Sequence, residues 1–221
     1  MTDFAIYDMD RTVTRHATYT PFLLHCALRR APWRLLLIPL VIASMLAYVA
    51  KLIDRGRLKE INHRLLLGHK RHPQELKPLV ESFAERTMAS NIRPGARAAI
   101  ARDKAEGRRI IMATASYTLY ADAIGRNLGF DDVIGTGSII GLDERVHAKI
   151  DGDNCYGPAK LRMVADWLAR SSFTRGHVRF YSDHASDAPV FEWADEAVAV
   201  NPHERLARMA KERGWKVEDW D

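Results

Sequence analysis

Polar side chains that could do chemistry follow three short apolar runs of this sequence. They are Asp8 and Asp10 after FAIY (4–7), Thr114 at the end of RRIIMAT (108–114) with Ser116 two residues later, and Asp183 at the end of HVRFYSD (177–183) with Asp187 four residues later. Four carboxylates brought to one place require a cation, and Mg²⁺ held by carboxylates and a substrate phosphate suits an all-oxygen site. A carboxylate beside Mg²⁺ can also attack phosphorus and form an aspartyl-phosphate.

The three runs are typical of buried strands, and helical patterns separate them. AVAVNP (197–202) predicts a fourth strand, helices are predicted over 92–107, 117–129 and 158–170, and VIGTGSIIG (133–141) is typical of a glycine-rich turn region. Strands that alternate with helices predict an α/β fold with a parallel sheet, in which ligands bind beyond the carboxyl ends of the strands. The acids then converge if their strands are neighbours.

The stretch from about residue 14 to residue 90 interrupts this alternation. It is helical in character and contains no strand candidate, which predicts an inserted helical cap. We therefore expect a core of residues 1–13 and 91–221 and a cap of residues 14–90.

Four segments in order resemble the signatures of the haloacid dehalogenase superfamily of phosphohydrolases. They are the DxDxT segment FAIYDMDRT, the strand IIMAT ending at Thr114, Lys160 in CYGPAK, and YSDHASD with Asp183 and Asp187. The lysine segment is similar to that of the phosphoserine-phosphatase-like subfamily. The resemblance implies a Rossmann-like, doubly wound parallel sheet with an inserted all-helical cap.

The same resemblance implies a role for each residue of these segments. Asp8 attacks phosphorus, and Asp10 protonates the leaving oxygen and then activates water. Thr114 and Lys160 bind the phosphoryl oxygens. The resemblance implies that Mg²⁺ is bound by Asp8, the backbone carbonyl of Asp10 and Asp183, with Thr12, Ser116 and Asp187 as supporting residues.

Composition limits the compartment and the partners. The net charge is +5, yet the segment from Arg29 to His72 alone carries ten Lys and Arg against two acids. No nucleic-acid-binding motif accompanies this basic segment, so an anionic membrane surface suits it better than nucleic acid. The two cysteines have no ligand spacing and the start MTDFAIYDMD does not resemble a signal peptide, which predicts a cytoplasmic protein.

An uncharged run of sixteen residues, LLLIPLVIASMLAYVA (35–50), lies inside the basic segment. As a helix it would be about 24 Å long, shorter than the hydrocarbon core of about 30 Å, and a single span would separate the two ends of the cap. Three interpretations remain open: a hairpin that docks on the membrane as a peripheral or monotopic element, a buried cap core or dimer interface, and a span. The oligomeric state is not predicted.

The cap also bears on the substrate. Phosphoserine phosphatases carry a glutamate nine residues after the nucleophile, where this chain has Ala17, so a substrate ammonium group would have no anionic partner. The basic and apolar pattern resembles membrane-associated phosphatidylglycerophosphate phosphatases, which implies a lipid phosphate as substrate. The alternatives are a soluble small-metabolite phosphatase and a non-catalytic membrane-binding protein on the same fold.

Overall fold

A computed structural model describes all residues from 1 to 221, and its centre is one sheet of eight strands. The strands are β1 (Thr2–Tyr7), β2 (Lys70–Arg71), β3 (Arg109–Tyr117), β4 (Asp132–Ile140), β5 (Val146–Asp151), β6 (Arg175–Ser182), β7 (Glu196–Val200) and β8 (Lys216–Glu218). Their order across the sheet is β2-β5-β4-β3-β1-β6-β7-β8. All neighbouring pairs from β4 to β8 are parallel, whereas β5 and β2 are antiparallel additions at one edge.

Helices cover both faces of the sheet. They are α1 (Tyr19–Arg30), α2 (Ile38–Val49), α3 (Arg55–Leu66), α4 (Pro73–Ser90), α5 (Pro94–Ala105), α6 (Thr118–Leu128), α7 (Pro158–Arg170), α8 (Ala188–Trp193) and α9 (Glu204–Arg213). Side chains alternate along β1, so that Ala5 and Tyr7 pack into one core and Phe4 and Ile6 into another. The predicted doubly wound α/β fold is therefore confirmed.

The glycine-rich stretch 133–141 is not the turn region that the sequence suggested. It forms most of β4, between β3 and β5. A Cβ atom on Gly135 would lie 3.0 Å from the carbonyl oxygen of Ser116 and 3.0 Å from Cγ2 of Thr118. This glycine permits close approach of the backbone of β3 rather than a change of direction.

The segment predicted as the cap contains α1 to α4, with one departure from an all-helical insertion. Lys70 and Arg71 form the short strand β2, which pairs antiparallel with His147 and Val146 of β5. Two residues are too few to show a hydrophobic period, so the sequence pattern gives no signal for this strand. The division into core and cap at residues 13 and 91 stays a prediction.

The apolar run forms a 3₁₀ turn, Pro32–Leu37, followed directly by α2. Only Val41 and Ser44 of α2 are buried, and Ser44 Oγ donates a hydrogen bond of 2.8 Å to Asn62 Oδ1 of α3. The outward side chains form an exposed surface, here named the apolar patch: Trp33, Leu36, Leu40, Ile42, Leu46, Val49 and Leu52. The interpretation of this run as a buried core of the single chain is therefore wrong.

By length and composition alone, one helical segment of the protein could cross a membrane. It is Pro32–Val49, with a mean hydropathy of 1.7 and 11% of its residues buried. The segment lies on the surface of the folded chain, and α2 packs against the rest of the protein mainly through α3.

Candidate active site

Three adjacent parallel strands bring most of the predicted site residues together at the carboxyl ends of the strands. β1 lies between β3 and β6, so the chain segments that follow these strands meet. Asp8 follows β1 and its backbone N–H donates to the carbonyl of Tyr181 at 2.9 Å, and Asp183 follows β6. The expectation that the acids converge at the carboxyl ends of neighbouring strands is met.

Lys160 joins two of these carboxylates. Its Nζ, at the start of α7, donates to Asp8 Oδ1 at 2.7 Å and to Asp187 Oδ2 at 2.6 Å. Ser182 Oγ also donates to Asp187 Oδ2 at 2.7 Å. Lys160 is 2% exposed, so its ammonium group is a buried positive charge directed at the predicted nucleophile.

Thr12 lies between Asp8 and Asp183. Its Oγ1 is 3.2 Å from Asp8 Oδ2 and 3.2 Å from Asp183 Oδ1, and it accepts a hydrogen bond of 2.9 Å from the backbone N–H of Asp183. One hydroxyl therefore fixes both carboxylates, and it also ties the turn after β1 to the loop after β6.

Asp10 points to the opposite wall of the site. Its Oδ1 accepts hydrogen bonds of 2.7 Å from the backbone N–H and from Oγ1 of Thr18. Its Oδ2 accepts a hydrogen bond of 2.7 Å from Ser116 Oγ. The carboxylate is thus oriented, and it is separate from the group held by Lys160.

Burial and crowding shift the pKa values of this cluster. Burial, opposed by Lys160 and assisted by Asp187 and Asp183, raises the pKa of Asp8 to about 7. Burial also raises the pKa of Asp183, against the hydrogen bond from Thr12. Burial alone would lower the pKa of Lys160, but Asp187 and Asp8 hold it above its usual value. Such shifts indicate that the carboxylates have too little positive charge nearby.

The predicted Mg²⁺ suits these residues. Asp187 Oδ1 is buried without a hydrogen-bond partner, and the carboxylates of Asp8 and Asp183 share the single hydroxyl of Thr12. No three acidic or histidine side chains form a preassembled cage for a metal. Mg²⁺ commonly takes only one or two carboxylates and completes its shell with water and phosphate oxygens. Asp8, Asp183 and the carbonyl of Asp10 would supply the protein ligands.

A cavity of about 410 Å³ opens over the cluster and extends to α1, α2 and α3. Its floor includes the four acids and Lys160, and its other walls include Ala17, Lys59 and Ser116. Thr114 is fully buried and does not line the cavity; its Oγ1 accepts a hydrogen bond of 3.0 Å from the backbone N–H of Ser116. Its assignment to phosphate binding stays a prediction.

Among the polar residues of the site, the sequence analysis did not predict Thr18 or Lys59 as site residues. Thr18 holds Asp10, and Lys59 lines the cavity although it lies in α3, far along the chain from the motifs. Neither belongs to a recognisable motif. The only available signal for Lys59 was its place in a basic segment, which indicates a solvated or membrane-facing residue just as well.

The fold and the site together define the class of this protein. A family model described as haloacid dehalogenase-like hydrolase matches residues 5–192, and the chain belongs to this family. Protein CicA of Caulobacter vibrioides is 32% identical over 193 residues, which cover 86% of this chain and 82% of that protein.

Several relatives carry the names of phosphatases. Phosphoserine phosphatase SerB1 of Mycobacterium tuberculosis is 29% identical over 146 residues, which cover 66% of this chain and 47% of that protein. Histidinol-phosphatase of Neisseria meningitidis is 27% identical over 147 residues, which cover 65% of this chain and 66% of that protein. The chain thus spans less than half of the length of some curated relatives.

Solved structures share the whole fold. A Bordetella pertussis protein of unknown function superposes with a TM-score of 0.89 at 24% identity, with complete coverage of both chains. A substrate-bound phosphoserine phosphatase superposes with a TM-score of 0.66 at 14% identity, covering 100% of this chain and 95% of that one. At such identities the likeness establishes the architecture alone.

Proposed function

We propose that the protein is a Mg²⁺-dependent phosphomonoester hydrolase that works through an aspartyl-phosphate on Asp8. The observation that carries the proposal is the buried Lys160, which holds Asp8 at 2.7 Å and Asp187 at 2.6 Å on the floor of the cavity. A fixed cation next to a carboxylate suits the transfer of a phosphoryl group, whose charge grows on the equatorial oxygens. The names of the phosphatase relatives support the same reaction.

Each residue has a defined part in this reaction. Asp8 attacks phosphorus, and Lys160 neutralises the phosphoryl oxygens. Asp10 gives a proton to the leaving oxygen and later takes one from the attacking water, a pair of steps that one carboxyl can serve in both directions. When bound, Mg²⁺ supplies positive charge for the phosphate oxygens. Thr12, Ser116 and Asp187 keep these groups in place.

A small soluble phosphomonoester is the first substrate candidate. The relatives are named for phosphoserine and histidinol phosphate, and a capped cavity of about 410 Å³ has the size of a small-molecule site. Phosphoserine itself fits poorly, because Ala17 lines the cavity and no acid of the cap lies there to pair with an ammonium group.

A lipid phosphate is the second candidate, and the position of α2 favours it. Met45 and Tyr48 of α2 line the cavity, while Leu46 and Val49 of the same helix face outward in the apolar patch. A headgroup phosphate above Asp8 could therefore leave its acyl chains along α2. In this arrangement the protein works at the cytoplasmic face of the membrane.

Phosphate release from phosphoserine, histidinol phosphate, phosphatidylglycerophosphate and phosphatidate, each with Mg²⁺ and with chelator, tests the function. We expect Asp8→Asn to lower the rate more than about 1,000-fold, as removal of a nucleophile does. Asp166→Asn, an exposed acid on α7, is the matched control and keeps full activity.

Each outcome of this assay is distinct. Release that survives Asp8→Asn would show that Asp8 is not the nucleophile. Release that survives chelator would show that the reaction does not depend on Mg²⁺. Release from lipids alone would select the lipid substrate, and release from soluble esters alone would select the metabolite. Absence of release from all compounds would favour the remaining interpretation, a non-catalytic membrane-binding protein on the same fold.

A further inference from the structure

Lys59 is a buried lysine without an acidic partner. It is 5% exposed, and its Nζ donates to Asn154 Oδ1 at 2.6 Å and to the carbonyl oxygen of Ala115. Both acceptors are neutral. Lys160, the other buried lysine of the cavity, is instead held between two carboxylates. Buried charges are normally paired, so the position of Lys59 requires a reason.

The acids that line the cavity all lie on one side of it. The four acids lie beyond the carboxyl ends of β1 and β6; they are Asp8, Asp10, Asp183 and Asp187. The cap contributes Arg55 and Lys59 to the lining and no acid. The guanidinium carbon of Arg55 lies 4.0 Å from the centre of the Tyr156 ring, which holds this second cation over the cavity without neutralising it.

A purely structural role does not account for Lys59. A side chain that only linked α3 to the end of β3 could do so as a neutral amide, without the free energy needed to bury an ammonium group. Burial and the neighbouring Arg55, opposed only in part by Asp10, lower the pKa of Lys59 to about 7. Within the protein its charged form meets only neutral acceptors and the rings of Tyr19 and Tyr117, so an anion in the cavity would stabilise it further.

We propose, on the basis of the phosphatase function above, that Lys59 and Arg55 form a subsite for a second anionic group of the substrate. The scissile phosphomonoester then lies over Asp8 and Lys160, and another oxyanion of the same molecule binds against α3. Lys59 is in this sense a specificity-determining residue. A soluble bisphosphate and a lipid with a phosphodiester beside its terminal phosphate both have this chemistry.

Two matched substrate pairs test the subsite and distinguish a soluble substrate from a lipid substrate. The soluble pair is glycerol 1,3-bisphosphate and glycerol 1-phosphate, and the lipid pair is phosphatidylglycerophosphate and phosphatidate. In each pair only the first member has the second anion. We expect kcat/KM to favour that member by about tenfold or more in at least one pair, the effect of one charge-assisted contact.

The variant Lys59→Met carries the test, with the ratio of kcat/KM within a pair as its readout. We expect this ratio to fall at least about fivefold, while Arg64→Met, which removes an exposed cation from the same helix outside the cavity, keeps it. Lys59→Gln, which retains hydrogen-bond donors, should lower the ratio equally if charge is the cause.

The subsite fails independently of the phosphatase function. Phosphate release without preference in either pair, or a ratio that Lys59→Met and Lys59→Gln leave unchanged, would overturn the subsite and keep the phosphatase. Absence of release from all four compounds would overturn the phosphatase function and the subsite with it.

Discussion

At the scale of single residues, the carboxylate of Asp10 is fixed by three hydrogen bonds. Thr18 donates two of them and Ser116 donates the third, all at 2.7 Å. The hydroxyl of Tyr120 donates in turn to Ser116 Oγ at 2.7 Å. A general acid must lie within hydrogen-bond reach of the atom that it serves, so these contacts determine where Asp10 can deliver a proton.

We expect Ser116→Ala to lower kcat about tenfold or more, because a hydrogen bond to a charged group contributes about 1.5–3 kcal/mol. KM should change little, since Ser116 positions the general acid rather than the phosphate. Steady-state kinetics on any accepted substrate checks both quantities. Tyr120→Phe, which leaves the bond from Ser116 to Asp10 in place, should lower kcat less. Equal kcat for all three proteins would contradict the positioning role.

The sequence predicted the residues that belong to a motif and missed those that act through the fold. Asp8, Lys160 and Asp187 come from three segments with recognisable patterns, and the structure brings them within hydrogen-bond distance. Lys59 meets Ala115 and Asn154 only because α3 packs against β5 and α1, from where its lysine reaches the end of β3. These two contacts join residues that are separated by 56 and 95 positions along the chain, so they leave no local pattern in the sequence.

At the scale of elements, α3 carries a buried histidine that should make stability depend on pH. His63 is 1% exposed, neither ring nitrogen has a hydrogen-bond partner, and its ring meets that of Tyr117 edge-on at 5.4 Å. Burial lowers its pKa to about 4. The folded protein therefore keeps His63 neutral at pH values where the unfolded chain would protonate it.

We expect the free energy of unfolding to fall as the pH is lowered from about 6.5 to about 4, by about 3 kcal/mol from His63. The sign follows from the depressed pKa: in this window the unfolded chain binds the extra proton, so acid favours unfolding. Urea titrations at several pH values measure the slope.

Two variants isolate the contribution of His63 from that of other groups. His63→Gln should flatten the dependence between pH 4 and 6.5, whereas His16→Gln, an exposed histidine, should keep the wild-type slope. Equal slopes for wild type and His63→Gln would show that His63 does not couple folding to pH.

The same scale shows where pattern reasoning fails. The helix predicted over 158–170 is α7 with identical bounds, because a proline start and a helical period coincide there. By contrast β4 was mistaken for a turn region, since glycine marks both turns and close backbone approach. Gly137 faces the backbone and side chain of Asp151 across the sheet, a requirement visible only once β5 is paired.

At the scale of the whole molecule, the apolar patch lies within a basic surrounding. Leu36 is 81% exposed and Leu46 64% exposed, whereas large apolar side chains usually avoid a continuous exposed surface. Arg29, Arg30, Lys51 and Arg57 flank the residues of this patch in the sequence and are exposed as well. An apolar surface bordered by cations suits an anionic membrane, which attracts the charges and buries the side chains.

We expect the protein to cosediment with vesicles of phosphatidylglycerol and phosphatidylcholine, and to do so less with phosphatidylcholine alone or at 0.5 M salt, where charge is screened within about 4 Å.

Leu46→Glu should weaken binding about tenfold or more, because burial of one leucine contributes about 1.5–3 kcal/mol. Leu142→Glu places the same change on a fully exposed leucine outside the apolar patch and should leave binding unaltered. If vesicles do not bind and Leu46→Glu instead dissociates a dimer in sedimentation equilibrium, the apolar patch is an interface between two copies. The active site would then face solution, and the soluble substrate would be the one to pursue.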